Sequence, residues 1–268
     1  MPELSLNGGR VWYRLGSEPL LPDRPTLVFV HGAGASSLTW LYQLRALRQS
    51  MNCVSIDLPG HGKSDECAKC ASIADYAERL AEILALLGLE DVVLVGHSMG
   101  AAVAMECLAK GGSYSAGILV GAGPTIPVSR MITEALETNI ETWSEMMEDL
   151  LFSPATPRRF VSKSHAASSL QAPREVIRDD FVACGAWSIA DRLANIKVPC
   201  LVIGGRDDAL TPSPIIEALG RTLPNAKFEI IDDAGHMVMV ERHKRVNELI
   251  IEFVHRQEAR KPRVRSRG

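Results

Sequence analysis

The stretch Val92–Ala102, VVLVGHSMGAA, holds a serine inside G-x-S-x-G, with an apolar run before it and an alanine-rich helical pattern after it. Near-continuous valine and leucine over so few residues reads as a strand covered on both faces. A strand that becomes a helix within a residue or two must turn sharply, and bulky side chains at 96 and 100 would strike neighbouring backbone. Glycine at both positions removes that obstacle. The serine between them is pushed out at the strand's C-terminal end, at the start of a helix whose N–H groups favour a developing anion. The pentapeptide is made specific by its setting, strand before and helix after.

Further runs of the same character are TLVFVHG (26–32), NCVSIDLPG (52–60), AGILVGAG (116–123), VPCLVIGG (198–205) and KFEIIDDAG (227–235). Helical patterns lie between them. SIADYAERLAEILALLGL (72–89) carries Ile73, Tyr76, Ala77, Leu80, Ile83, Leu84 and Leu87 on one face, and Ser72 with Asp75 forms a capping box at its start. MGAAVAMECLAK (99–110) follows the serine directly, and ERHKRVNELIIEFVHRQ (241–257) has Val246, Leu249, Ile250 and Phe253 as its apolar stripe. Strand and helix in repetition predict an α/β fold, a doubly wound, mostly parallel β-sheet flanked by helices. VWYRLG (11–16) is expected as an antiparallel edge strand. The rhythm breaks over residues 125–190, which show helical patterns, including MITEALETNIETWSEMMEDLLF (131–152), and turn-rich SPATPRRF and QAPREV, but no convincing strand. The expected organisation is a core of 1–124 and 191–257, a helical insertion of 125–190 over one end of the sheet, and a basic tail of 258–268.

With 268 residues, 46% hydrophobic and 23% charged, the chain has globular proportions. Its net charge of −3 gives no overall field for nucleic acid or a membrane surface. The end, RQEARKPRVRSRG (256–268), sets six basic residues against one acid; that is +5, leaving −8 for the rest, and it reads as a solvated tail. The N-terminus lacks a basic segment leading into an apolar one, and no apolar run approaches the ~20 residues of a membrane span. The expectations are a cytoplasmic compartment, no membrane span and no nucleic-acid partner. Cys53 and Cys200 lie in apolar runs and read as small core residues. Cys67 and Cys70 form C-x-x-C with no second pair nearby to complete a zinc site, and they do not open a helix after a strand as a thioredoxin-type centre does. They read as incidental thiols or a local disulfide.

A serine hydroxyl near neutral pH needs an adjacent base, and the base needs a third group to orient it. Among seven histidines, His97 adjoins Ser98 and leaves in another direction, while His31 and His61 sit in loops whose shape they are expected to hold. His165, His243 and His255 lie in polar helical surroundings and are expected to be exposed. His236, in IIDDAGHMV, follows the last strand-like run through a flexible Ala-Gly and is the candidate base. The orienting acid is sought between Ser98 and His236, at another strand end. Asp207 and Asp208 in GGRDDALTP (204–212) both qualify, whereas Asp232 and Asp233 read as turn carboxylates. In HGAGAS (31–36) small residues let backbone N–H groups approach a substrate oxygen, so the amides of Ala33 and Met99 are the candidate oxyanion donors. Gly32 and Gly34 leave open which amide of that loop turns inward. Met131, Leu136, Trp143, Met146, Met147 and Leu150 of the insertion either line an apolar pocket or pack the insertion on the core, the second being the commoner use. Gly32, Gly34, Trp40, Trp143, Met147 and Trp187 are the further candidates for touching substrate.

Together HGAG, DLPGHGKSD, GHSMG, IADRLANIKVPCLVIGGRDDALTP and DAGHMVMVERHKRVNELIIEFV resemble the α/β-hydrolase superfamily, in particular its serine esterases and related hydrolases with a helical cap, over about residues 26–254. The order Ser, Asp, His along the chain is the order of that family. The resemblance implies that 125–190 is the cap. Serine at 98 separates the chain from relatives with an aspartate nucleophile, the haloalkane dehalogenases and epoxide hydrolases. Relatives that cleave carbon–carbon bonds often carry asparagine before the serine; His97 here favours esters or lactones. Family members often have proline four residues after the acid, which fits Asp208 and Pro212 but not Asp207 and Thr211. The resemblance therefore assigns Asp208 as the orienting acid and leaves Asp207 to cap the turn or pair with Arg206. What it implies is a Ser98–His236–Asp208 hydrolase acting on a small-molecule ester, with no metal and no cofactor. The alternatives are a carbon–carbon hydrolase or lyase using the same serine, and a ligand receptor that retains these residues without turnover.

Overall fold

A computed structural model describes residues 2–66, 70–161 and 172–260. Cys67, His165 and residues 261–268 of the basic tail lie outside the described residues. Eight strands form one sheet: β1 (Glu3–Leu6), β2 (Gly9–Leu15), β3 (Thr26–Val30), β4 (Asn52–Ile56), β5 (Val92–His97), β6 (Tyr114–Val120), β7 (Cys200–Gly205) and β8 (Ala226–Ile231). Their order is β1-β2-β4-β3-β5-β6-β7-β8. From β4 to β8 every neighbouring pair is parallel, and β2 joins β4 antiparallel. The expected edge strand is β2, but it is not at the edge. β1 covers it through a two-residue turn at Asn7 and Gly8, both with positive φ (48° and 81°), the conformation that Asn-Gly hairpins favour.

The central strands β3, β5 and β7 are apolar because both of their faces are covered. Val28, Val30, Leu94 and Val202 pack with α2 (Ile73–Leu86), α3 (Met99–Lys110) and α7 (Ser213–Thr222). Leu27, Phe29, Val93, Val95 and Ile203 face the other way, onto α1 (Leu41–Leu47) and α8 (His243–Glu258). Alternate residues of β3 thus enter opposite cores, as a pleated strand requires. The α2 stripe is buried as its periodicity predicts, and the Ser72 hydroxyl accepts from the Asp75 amide at the helix start. Each fully buried Leu or Ile of such a stripe contributes roughly 1.5–3 kcal/mol relative to exposure.

Between β6 and a short 3-10 helix at Ala190–Asn195 the chain leaves the sheet. An isolated antiparallel bridge between Thr125 and Ser188 holds the two ends of this excursion together. The 131–152 pattern forms two helices, α4 (Arg130–Thr138) and α5 (Ile140–Leu151), not one. Asn139 is the break: its backbone is extended, its N–H closes α4 on the Ala135 carbonyl, and its side chain accepts from the amides of Glu141 and Thr142 to start α5. Helix α6 (Arg174–Ala186) completes the described part of this excursion. Among the described residues no helix is long and apolar enough to cross a membrane.

The β5–α3 turn depends on its glycines. A Cβ on Gly96 would lie 2.2 Å from the Gly100 carbonyl oxygen, and one on Gly100 would lie 2.3 Å from that of Val30. Both obstacles are backbone, which cannot swing aside as a side chain can. Gly100→Ala is therefore expected to cost about 3 kcal/mol, by overpacking, read as a lowered midpoint in urea denaturation. Gly88→Ala, where a Cβ meets nothing within 4 Å, should cost less, through its positive φ alone.

Candidate active site

Ser98 stands between the last residue of β5 and the first of α3, with φ 52° and ψ −118°. That conformation is sparsely populated for a residue with a side chain and costs on the order of 1–3 kcal/mol. The surroundings hold it there. Its N–H donates to the Val120 carbonyl at 2.9 Å, and its own carbonyl accepts from Ala101 and Ala102 at 2.9 and 3.1 Å. As the first helical residue, Met99 has an amide with no acceptor one turn earlier in the helix. Gly32 passes close by: a Cβ on it would be 3.3 Å from the Ser98 Cβ.

His236 lies in the loop after β8, and that loop rests on the end of β7. A Cβ on Gly205 would come within 2.2 Å of the Ala234 carbonyl oxygen and 2.3 Å of that of Gly235. The imidazole Nδ1 donates to Oδ2 of Asp208 at 2.9 Å. Oδ1 of Asp208 accepts from the amides of Leu210 and Thr211 at 2.9 and 2.7 Å, so the carboxylate is fixed by its own turn. With Nδ1 protonated toward the acid, the neutral ring carries its lone pair on Nε2, the form a general base needs. Gly121, at the end of β6 with φ 60°, leaves the space that the ring occupies; a Cβ there would meet Nδ1 and Cε1 at 3.3 Å. Its place after a strand run was the available signal for this residue in the sequence.

The two aspartates of GGRDD part company. Asp208 turns to His236, while Oδ2 of Asp207 accepts from the Ser153 hydroxyl at 2.6 Å, reaching the insertion. Pairing with Arg206 is one of the roles the sequence offers Asp207, but Arg206 instead pairs with Asp232 at 3.1 Å. Glu241 makes a second tie to the same segment. It accepts from the Ser153 amide and the Thr156 hydroxyl at 2.9 and 2.6 Å, and from the Gly235 amide beside His236 at 2.8 Å. Burial pushes its carboxyl above the ordinary range, against these hydrogen bonds.

His97 is buried, and its Nε2 donates to the His236 carbonyl at 3.1 Å. Burial first, and then the neighbouring His236, hold its pKa well below the ordinary value, so the ring stays neutral. His31 is also buried; its Nδ1 donates to the Gly32 carbonyl at 2.8 Å and its Nε2 accepts from the Leu58 amide at 3.1 Å. Both imidazoles hold backbone in place, as the loop position suggests for His31. His243 is half-buried rather than exposed, stacked on Tyr42 with ring centroids 4.3 Å apart.

Ala33, Ser98 and His236 line one narrow cavity of about 60 Å³. Trp143, Met147 and Leu151 of α5 and Phe181 of α6 form its other wall, with Leu210 and Met237 at the side. Gly32 and His97 also border it. Two tryptophans named from the sequence lie elsewhere. Trp40 packs on Phe29 in the core, with centroids 5.2 Å apart. Trp187 belongs to the opposite face of the sheet, where its Nε1 donates to Glu106 at 2.8 Å. Gly34 faces Ile177 of the insertion, not the cavity, and Met131 is 59% exposed. Phe181, Leu151 and Leu210 carry no sequence signal beyond apolarity. A roomier hollow lined by Leu20, Asp23, Arg24, Asn52 and Glu258 opens at the other ends of β3 and β4, away from these groups.

A model of the alpha/beta hydrolase family matches residues 27–249, and the chain belongs to that family. Among curated relatives, the dihydrolipoyllysine-residue acetyltransferase component of the acetoin cleaving system of Pseudomonas putida is 28% identical over 267 residues, covering 94% of this chain and 69% of its own. A 2-hydroxy-6-oxononadienedioate/2-hydroxy-6-oxononatrienedioate hydrolase of Paraburkholderia phymatum is 28% identical over 255 residues, covering 86% and 87%. Among solved structures, a thermophilic esterase from Thermogutta terrifontis superimposes with a TM-score of 0.81 at 25% identity, covering 93% of this chain and 94% of that one.

Burial, and next the proximity of His61, lowers the His31 pKa from 6.5 to about 3. Between these values protons bind the unfolded chain more readily than the folded one. The contribution is therefore complete above pH 6.5 and is lost as pH falls toward 3. Urea midpoints measured across that interval should fall with pH, and they should fall less steeply in the His31→Gln protein.

Proposed function

We propose that the chain hydrolyses carboxylic esters or lactones of short acyl groups through an acyl-enzyme on Ser98. The observation that carries this reading is the His236–Asp208 hydrogen bond of 2.9 Å, with the second acid oxygen held by two amides, bordering the cavity that Ser98 also lines. In this mechanism the Ser98 hydroxyl attacks the carbonyl carbon while Nε2 of His236 takes its proton. Asp208 keeps the imidazole in the required tautomer and stabilises its cation. The amides of Ala33 and Met99 receive the oxyanion, each worth roughly 3 kcal/mol in the transition state. The imidazolium then protonates the departing alkoxide, and water repeats the sequence to release the acid. No step calls for a metal or cofactor.

Residues 125–190 act in this reading as a cap on a core of 1–124 and 191–257. The apolar wall that α5 and α6 add to the Ser98 cavity supports it. So narrow and apolar a space suits a short acyl chain. The Paraburkholderia relative motivates a carbon–carbon hydrolase as the second reading. A dioate substrate brings two carboxylates, and among the described residues lining the cavity none is a lysine or arginine, which favours the ester.

Turnover of short-chain nitrophenyl esters by the purified protein tests the proposal, and Ser98→Ala should abolish it. Asp208→Asn should leave the fold intact and lower kcat about 10⁴-fold, as expected for a lost orienting acid. Asp207→Asn should stay within about tenfold of the parent, since its contact is to Ser153. The reverse pattern would move the acid's role to Asp207. Turnover of dienone acids with no turnover of esters would favour the second reading.

A further inference from the structure

Asp180, midway along α6, is wholly buried, and its carboxylate gathers donors from three distant segments. Oδ2 accepts from the Gly34 amide at 2.8 Å and from Nε2 of His61 at 2.8 Å, and Oδ1 accepts from the Tyr76 hydroxyl at 2.7 Å. The other ring nitrogen of His61, Nδ1, lies 3.0 Å from the Pro59 carbonyl. A carbonyl and a carboxylate only accept, so both ring nitrogens donate and His61 is an imidazolium. Burial works against that charge; the Asp180 carboxylate and its hydrogen bond outweigh it and raise the pKa above the ordinary value. A buried ion pair of this kind adds little net stability over apolar residues of equal volume. Its distinctive product is fixed geometry.

The geometry it fixes is that of the loop beside Ser98. Ala33 sits between two planar peptide units. In the first, the Gly32 carbonyl accepts from Nδ1 of His31 at 2.8 Å, and because carbonyl and N–H point opposite ways across a trans peptide, this bond aims the Ala33 N–H. In the second, the Gly34 N–H is held by Asp180. Gly34 is doubly engaged by the insertion: its carbonyl accepts from the Ala172 amide at 3.4 Å, and a Cβ on it would come within 3.0 Å of Ile177. Its φ of 64° is open to glycine at little strain.

We propose that Asp180, paired with His61, is a positioning residue that fixes the peptide on the C-terminal side of Ala33 through Gly34, so that the Ala33 amide, aimed on its other side by His31, is held fast only while α6 is seated on the core. The inference rests on the reading of the Ala33 amide as an oxyanion donor. A cap that lifts carries Asp180 off Gly34 and frees the C-terminal side of the oxyanion loop; a cap that closes fixes it. Chemistry is thereby confined to the closed, water-poor state.

The test compares the parent with Asp180→Asn, and with Asp179→Asn as the control, a half-buried neighbour on the same helix whose carboxylate pairs with Arg178. Nitrophenyl acetate kinetics are measured together with amide hydrogen exchange of the segment 31–37. Asp180→Asn should lower kcat about 100-fold, the scale of a roughly 1 Å misplacement, with KM nearly unchanged. It should speed exchange at Gly34 at least tenfold without speeding exchange in β5 and β6. Asp179→Asn should match the parent in both. Parent-like Gly34 exchange in Asp180→Asn overturns the proposal, as does acceleration spread evenly over the sheet. A parent that turns over no ester would sink the esterase reading instead, and the exchange comparison would still decide whether Asp180 sets the loop.

If Asp180→Asn does not fold, the same exchange is followed with pH in a Cys70→Ser background. The groups facing the pair are His31 and Asp57 from the strand-end loops, Tyr76 from α2, and Cys70 and Cys184. Burial lowers His31 to about 3 and pushes the Tyr76 hydroxyl and the Cys184 thiol up, which leaves His61 as the imidazole that gives up a proton on the alkaline side. Gly34 protection, corrected for intrinsic rate, should fall at least tenfold between pH 6 and 10. Constant protection across that range overturns the proposal.

Discussion

The site depends on the contact of bare backbone at Gly96, Gly100 and Val30, where an added Cβ would fall 2.2–2.3 Å from a carbonyl oxygen. Because α3 presses directly on β3 and β5 there, the chain reverses from strand to helix across one residue. That residue, Ser98, is left with φ 52° and its side chain at the strand ends. Everything else at the site is arranged around this fixed point. The β7 end bears Asp208, the β8 loop bears His236, and the β3 loop brings Gly32 and Ala33 alongside. All come from the C-terminal ends of parallel strands, the edge at which open α/β sheets place their ligands.

Three carboxylates tie the 125–190 excursion to that edge. Asp180 reaches the Gly34 amide, Glu241 joins Ser153 and Thr156 to the Gly235 amide, and Asp207 receives the Ser153 hydroxyl. Each bond lands one or two residues from a group with a proposed chemical role. Charged hydrogen bonds of this type define direction more sharply than the apolar packing of Trp143 and Met147 can. Residues of α5 and α6 thus line the cavity, and this excursion is also hydrogen-bonded to the loops beside it.

The sequence discloses what repeats and what is local. The apolar runs alternate with helical stripes, so the parallel sheet and its two covered faces follow from periodicity. The Gly96–Gly100 spacing discloses the turn because its cause lies within five residues. The break at Asn139 was also local, yet continuous apolar spacing through 131–152 masks it; the Asn side chain that starts α5 was the signal. The Asn7-Gly8 hairpin was likewise written in the sequence and covers the strand expected at the edge. The partners of Asp180, 104 to 146 residues away, have no local trace. Apolar size says nothing of direction either, which is why Trp143 faces the cavity while Trp40 and Trp187 serve the two cores.

The claim on which the account turns is that Ser98 is an activated nucleophile. Incubation with an alkyl fluorophosphonate, followed by intact-mass measurement and peptide mapping, reads this without knowledge of the substrate. The account predicts one covalent adduct, located on Ser98, formed at a rate that falls at least 100-fold in the His236→Ala protein. No adduct, an adduct on another residue, or a rate indifferent to His236 would contradict it.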